Sequence, residues 1–137
     1  MSKESILREF MDKVWNNQQK ELVDKFVSHE YHIHLDSGDN WEGKVLTHED
    51  FKERLDFSFN SFPDMNFDIK SVIEEDDHVA ITWILTGTNL GKIGDLPPTN
   101  KKIRTSGMTI YYFSGSLISG HSQVFDRRAV WNQLGFG

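Results

Sequence analysis

The sequence predicts an α+β fold in one domain spanning residues 1–137, with helices in the first half and a curved antiparallel sheet in the second. Apolar residues recur every three or four positions before Pro63, whereas after Pro63 they alternate with a period of two. No linker, internal repeat or low-complexity segment divides the chain. A chain of this length can bury a substantial core as one domain.

Three helices are predicted before Pro63. Ser2 can cap the first helix, whose apolar residues follow at helical spacing: Ile6, Leu7, Phe10, Met11, Val14 and Trp15. Residues 22–27 indicate a short second helix. Thr47 is typical of an N-cap for a third helix that extends to about Phe62, because acidic residues occupy its first turn and a proline follows its end.

Five strands are predicted. The segment YHIHL, residues 31–35, alternates like a short strand between the second and third helices. Four longer strands follow the third helix, each rich in β-branched and aromatic residues, over residues 65–73, 78–88, 103–113 and 116–126. The segment GTNLGKIGDLPPTNKK, residues 87–102, connects the second and third of these four. Its glycines allow turns and its two prolines make it stiff.

Composition excludes several classes of function. The net charge of −6 argues against a nucleic-acid partner, since phosphate binding requires a basic face. The chain has no cysteine, which excludes disulfides, thiolate zinc sites and a cysteine nucleophile. No apolar run approaches the roughly 18 residues of a membrane span, and the first ten residues lack the apolar core of a signal peptide. We therefore expect a cytoplasmic protein without a membrane partner.

A series of short motifs follows the third helix in a recognisable order. They are Trp83, Gly87-Thr88, Leu96-Pro97-Pro98-Thr99, Ser106-Gly107, Ile110-Tyr111-Tyr112-Phe113, Phe125-Asp126 and Asn132-Gln133-Leu134-Gly135. With these motifs the chain resembles the SnoaL-like family of polyketide cyclases and predicted ester cyclases, within the nuclear transport factor 2-like superfamily. The resemblance implies a cone-shaped, cystatin-like α+β barrel, in which the N-terminal helices pack on a curved antiparallel sheet. It also implies a hydrophobic pocket for a small carbonyl-bearing molecule and no cofactor.

The family's cyclases use an aspartate on the last strand to remove a proton next to a carbonyl. The position that matches this aspartate is Gln123, and a carboxamide cannot accept a proton at neutral pH. A histidine that some cyclases carry on the preceding strand corresponds to Thr109. The resemblance therefore implies the pocket, while Gln123 leaves the cyclase activity itself open.

Strand alternation offers other polar groups for the interior. His121, Gln123 and Phe125 share one face of the last strand, and Thr109 and Tyr111 share the corresponding face of the strand before it. If Gln123 points inward, His121 does too and is a candidate general base. Tyr111 is a candidate donor to a developing oxyanion. Gln123, Thr109 and Phe125 are candidate ligand contacts; a structural role for His121 is the alternative.

Three further residues are candidates for the site. Asp126 is a second candidate base, although alternation turns it away from Gln123 and a salt bridge or a cap at the strand end is the alternative. His34 matches a histidine that borders the cavity in relatives, and Trp83 is either core or pocket wall. His32 and His34 share a face, but no spacing singles out a third ligand, so no metal site is predicted.

Two classes of function stay open. The first is a cofactor-free acid–base enzyme of the cyclase, isomerase or dehydratase type, with His121 or Asp126 as base. The second is a non-catalytic domain that binds a small hydrophobic molecule or assembles with itself. Relatives commonly pair through the outer face of the sheet, where this sequence places Ile84, Ile110 and Tyr112, so we expect a homodimer.

Overall fold

The computed structural model describes residues 1–136, which form four helices and a six-stranded sheet. The helices are α1 (Lys3–Phe10), α2 (Val23–Phe26), α3 (His48–Ser61) and α4 (Arg127–Leu134). A π-helical segment, Met11–Asn16, continues α1, and a 3₁₀ turn, Lys20–Leu22, leads into α2. None of the helices in the described part of the chain is long and apolar enough to cross a membrane.

The strands are β1 (Val27–Ile33), β2 (Val45–Leu46), β3 (Asn66–Glu75), β4 (His78–Thr88), β5 (Lys102–Ser114) and β6 (Leu117–Phe125). They lie in the order β2-β1-β6-β5-β4-β3. All neighbours are antiparallel except β1 and β6, which are parallel. In β6, Gln123 lies opposite Thr109 and His121 lies opposite Tyr111, so the predicted polar positions of β5 and β6 are neighbours.

The predicted α+β fold is confirmed, and its differences from the structure are local. The predicted caps are present: Ser2 Oγ accepts the Ser5 N–H at 3.1 Å, and Thr47 forms a capping box with Asp50. Strand β1 begins at Val27, four residues earlier than predicted. The sequence prediction missed the two-residue strand β2 and the eight-residue helix α4, in which Leu134 is the buried residue.

The core fills the space between the helices and the concave face of the sheet. Phe10 of α1 makes edge-to-face contacts with Phe51 of α3 and Tyr111 of β5, each with ring centroids 6.2 Å apart. Trp83 of β4 is buried against Phe67, at 5.1 Å between centroids. Aromatic packing therefore closes the part of the concave face beneath α1, and the remaining space lies between α3 and α4.

Candidate functional site

A cavity of about 390 Å³ lies between α3, α4, the loop after β1 and the ends of β4 to β6. Most of its wall is apolar: Trp41, Phe57, Phe62, Met65, Leu85, Ile93, Ile103, Phe125, Val130 and Trp131. Ile93 belongs to the glycine- and proline-rich connection, so this connection contributes to the wall. The charged residues in the lining are Asp39, Arg54 and Arg127. The cavity is thus an apolar space with a charged end, as is common for small-molecule sites.

Arg54 lies on the buried face of α3, between Phe51 and Leu55, and only 8% of it is exposed. Its Nη2 donates to Asp36 Oδ2 at 3.2 Å and to Asp39 Oδ2 at 3.1 Å. Burial would lower the pKa of the guanidinium, but the charge of Asp39, with a further contribution from Asp36, raises it above its ordinary value. Arg54 is therefore a permanent positive charge at the wall of the cavity.

The loop after β1 brings both aspartates to Arg54. Asp39 N–H donates to the Asp36 carbonyl at 2.9 Å, and Asp39 Oδ1 accepts the Trp41 N–H at 2.8 Å. Between them Gly38 adopts a φ of 91°, and a Cβ at this position would lie 2.6 Å from Arg127 Cδ. Glycine is required here because of both its backbone angle and the close approach of Arg127.

Asp36 is the centre of a buried polar network and is only 1% exposed. Its Oδ2 accepts hydrogen bonds from His121 Nε2 at 2.8 Å and Gln123 Nε2 at 3.0 Å, in addition to Arg54. Its Oδ1 accepts from Arg127 Nη2 at 2.7 Å. Burial would raise the pKa of Asp36, but the hydrogen bond from His121 and the charges of Arg54 and Arg127 hold it below its ordinary value. Asp36 is therefore ionised at neutral pH.

His121 is buried, at 2% exposure, and both of its ring nitrogens are engaged. Because Asp36 is ionised, Nε2 must carry the proton that it donates to Asp36, and Nδ1 then accepts the Tyr31 O–H at 2.5 Å. Burial lowers the pKa of His121 despite the hydrogen bond to Asp36, so the ring is neutral at pH 7. His121 is not among the residues that line the cavity in the described chain. The Nδ1 lone pair of His121 therefore accepts the Tyr31 hydroxyl and is not open to the cavity.

Gln123, Thr109 and Trp83 form a second hydrogen-bonded chain that ends at Asp36. Trp83 Nε1 donates to Thr109 Oγ1 at 2.8 Å, and Thr109 Oγ1 donates to Gln123 Oε1 at 3.0 Å. The Gln123 amide N–H then donates to Asp36. Of the sequence-predicted ligand residues, Phe125 lines the cavity, whereas Gln123, Thr109 and Trp83 lie behind its wall.

The other predicted residues lie apart from the cavity. The Tyr111 hydroxyl is buried and points to Met11 Sδ at 3.6 Å, and burial raises the pKa of Tyr111 above its ordinary value. Asp126 caps α4, with Oδ1 accepting the Ala129 N–H at 2.9 Å, which is the cap considered as its alternative role. His34 is exposed on the outer face of the sheet, where it stacks on His32 at 5.9 Å between centroids. No group of three or more potential metal ligands was found in the part of the chain that the structure describes.

Sequence reasoning missed the charged end of the cavity. One signal for it is present: Arg54 occupies a position of the predicted apolar stripe of α3, three residues after Phe51 and one before Leu55. A charged residue at such a position must be paired when it is buried. Nothing local in the sequence indicates that Asp36 and Asp39 both reach Arg54.

Comparison with known proteins agrees with this architecture of helices on a curved six-stranded sheet, the cone fold of the nuclear transport factor 2-like class. The family model of SnoaL-like polyketide cyclases matches residues 5–134. A crystal structure of a candidate polyketide cyclase from Acidithiobacillus ferrooxidans is 38% identical, with a TM-score of 0.90 over 98% of this chain and 97% of that chain. The chain therefore belongs to the SnoaL-like polyketide cyclase family, as its motifs predicted.

More distant structures share the fold. IdmH from Streptomyces antibioticus, a candidate polyketide cyclase, is 20% identical with a TM-score of 0.82, and the comparison covers 98% of this chain and 99% of IdmH. A candidate SnoaL-like polyketide cyclase from Jannaschia sp. CCS1 is 18% identical with a TM-score of 0.85, covering 98% of this chain and 92% of that chain. A search of curated proteins found no match.

Proposed function

We propose that this protein binds a small hydrophobic molecule with a carbonyl or enol oxygen in the cavity between α3 and α4. The observation that carries this proposal is the combination of an apolar, largely aromatic wall with one charged end at Asp39 and Arg54. The apolar wall favours a hydrocarbon ring system, because burial of such a ligand removes apolar surface from water. Arg54 supplies a donor that orients the ligand oxygen.

The charge balance at this end favours a neutral ligand. Two aspartates, Asp36 and Asp39, lie against two arginines, Arg54 and Arg127, and the neutral His121 adds no charge. Glu42 lies at the same end, where its Oε2 accepts the Asp36 N–H at 2.7 Å, so the two arginines carry no uncompensated positive charge before any ligand binds. A ketone accepts a hydrogen bond from an arginine without adding a charge to this balance, whereas a carboxylate would add an uncompensated negative charge.

Ligand binding can be tested by tryptophan fluorescence, since Trp41 and Trp131 line the cavity. We expect saturable quenching by 1-tetralone, a bicyclic aromatic ketone, and weaker binding of naphthalene, which has no oxygen. Ser58→Phe places a ring inside the cavity and should abolish binding. Asn60→Phe adds the same ring at an exposed position of α3 and is the matched control. Equal binding by both variants, or no saturable binding of either compound, would contradict the proposal.

Self-association is a second part of the proposed function. Exposed apolar side chains on the outer face of the sheet include Ile73, Met108, Ile110 and Val124. Ile84 and Tyr112, which the sequence placed at the interface, are half-buried beside them. An exposed apolar patch of this kind is typical of a protein contact, which supports a homodimer formed through this face.

A further inference from the structure

The guanidinium of Arg54 has donors that the protein does not use. Both hydrogen bonds found for this group in residues 1–136 are donated by Nη2, and the buried Nε has no hydrogen-bond partner there. Nε is enclosed by protein atoms and is out of reach of a ligand. Nη1 donates no hydrogen bond within residues 1–136 and is not enclosed in this way, and Arg54 lines the cavity, so Nη1 is the donor available to an acceptor on a bound ligand.

Asp39 provides a carboxylate beside this donor. It is the acidic residue in the cavity lining of the described chain, and 13% of its side chain is exposed. Oδ1 accepts the Trp41 N–H and Oδ2 accepts from Arg54. An ionised carboxylate has about four lone-pair positions, so Asp39 keeps the capacity to accept a proton from a ligand.

We propose that Asp39 and Arg54 act together as a proton-transfer pair on a ketone bound in the cavity, with Asp39 as the base and Arg54 as the donor to the carbonyl oxygen. The inference rests on the proposed binding of a carbonyl compound in this cavity. It moves the catalytic centre from the β5–β6 interior, where the sequence placed His121, to the loop after β1 and helix α3.

The proposed step is an enolisation. The C–H bond next to the carbonyl breaks and its proton moves to Asp39. The electron pair of that bond forms a carbon–carbon double bond, and the carbonyl π electrons move to oxygen, which becomes an enolate. Arg54 stabilises this charge through the N–H donors of Nη1, as an oxyanion-binding group does. Return of the proton from Asp39 to carbon regenerates the carboxylate, so the step needs no cofactor.

Asp36 acts in this scheme as a positioning residue. It is ionised and inaccessible, and its Oδ2 holds Arg54 Nη2, which leaves Nη1 for the ligand. His121 and Gln123 in turn hold Asp36 through their own hydrogen bonds to Oδ2. The interior network of Asp36, His121 and Gln123 therefore orients Arg54, and Asp39 and Arg54 contact the ligand.

Deuterium exchange at the carbon next to the carbonyl of 1-tetralone, followed by ¹H NMR in D₂O, tests the inference. The wild-type protein should accelerate exchange above the rate in buffer. Asp39→Asn should lower the enzymatic rate by about 10²- to 10⁴-fold, the usual contribution of a general base. Its binding of 1-tetralone, measured by fluorescence, should remain saturable, because the apolar wall and Arg54 are still present. Asp56→Asn makes the same chemical change at an exposed position of α3 and should have no effect on exchange.

Two further variants complete the test. If Asp39→Asn does not fold, Asp39→Ser keeps an acceptor for the Trp41 N–H and removes the carboxylate. Arg54→Lys keeps the positive charge and removes the guanidinium with its Nη1 donor, and should lower exchange at saturating ketone by tenfold or more.

The outcomes separate the two proposals. Wild-type binding without accelerated exchange, or exchange that survives Asp39→Asn, would overturn the assignment of Asp39 and leave the binding proposal intact. Loss of exchange in Asp126→Asn but not in Asp39→Asn would also overturn it. Failure of the wild-type protein to bind 1-tetralone would instead remove the proposed function on which the inference rests.

Discussion

Replacement of Asp36 by asparagine tests whether the buried network holds the fold together. The substitution keeps the shape of the side chain and removes one negative charge from a site that is 1% exposed. Arg54 then keeps Asp39 as a partner. Asparagine has one side-chain oxygen, so either Arg127, which binds Oδ1, or His121 and Gln123, which bind Oδ2, face an amide nitrogen that cannot accept their hydrogen bonds. The new amide N–H groups also face one of these N–H donors, with which they cannot form a hydrogen bond.

The expected loss of stability follows from these contacts. Breaking a buried ion pair by removing one partner costs about 3–5 kcal/mol. We expect about 3 kcal/mol for Asp36→Asn, at the lower end, because Asp39 still pairs Arg54 and Arg127 is partly exposed, at 29% of its side chain. For a domain of this size, that change corresponds to a decrease in Tm of roughly 10 °C.

Guanidinium chloride unfolding of the two proteins measures this difference, with the m-value as a check that the unfolded states are comparable. Asp68→Asn is the matched control, because Asp68 pairs with Lys70 at 2.7 Å on the exposed surface. We expect the control to change the unfolding free energy by less than about 0.5 kcal/mol. A loss below about 1 kcal/mol for Asp36→Asn would refute the view that the network depends on this charge.

The remaining predictions concern pH, the last strand and assembly. Because the pKa of His121 is lowered in the folded state, the unfolded chain binds more protons below about pH 6.5, so stability should fall by up to about 1.4 kcal/mol per unit as pH drops from 6.5. Denaturant midpoints between pH 7.5 and 5 should show this decline for the wild type and for His34→Gln, and a smaller decline for His121→Gln. Parallel plots of midpoint against pH for all three proteins would contradict the attribution of the decline to His121. Gln123→Asp replaces a donor to Asp36 by a second carboxylate, so it should destabilise the protein at pH 7. The difference in stability from the wild type should be smaller at pH 5, where one of the two carboxyl groups takes up a proton. Equal unfolding midpoints of the two proteins at pH 7 would count against this reasoning. Light scattering should give twice the chain mass of 15.9 kDa, and Ile110→Lys should shift the protein towards the monomer, whereas a monomeric wild type at micromolar concentration would exclude the proposed dimer.

The sequence by itself determined the elements and their faces. The caps at Ser2 and Thr47, the change of period after Pro63 and the alternation of residues 121–125 in β6 depend on consecutive residues, so local patterns indicate them directly. The same alternation placed His121 and Gln123 on the inner side of the sheet. The irregularity of β6 before His121, which leaves both Ile118 and His121 buried, was not predicted. Helix α4 was not predicted because it spans only eight residues and packs on β5, which is a contact between distant parts of the chain.

The tertiary structure alone decided which polar groups are free. His121 and Asp36 are 85 residues apart in the chain, yet their hydrogen bond and the one from Tyr31 occupy both nitrogens of the ring. Arg54 and Asp39, which no motif marked, retain unused donors and acceptors at a cavity wall. The physical reason is that the capacity of a polar group for chemistry depends on whether its hydrogen bonds are already satisfied. That depends on groups brought together by folding, and the local pattern of the sequence does not contain it.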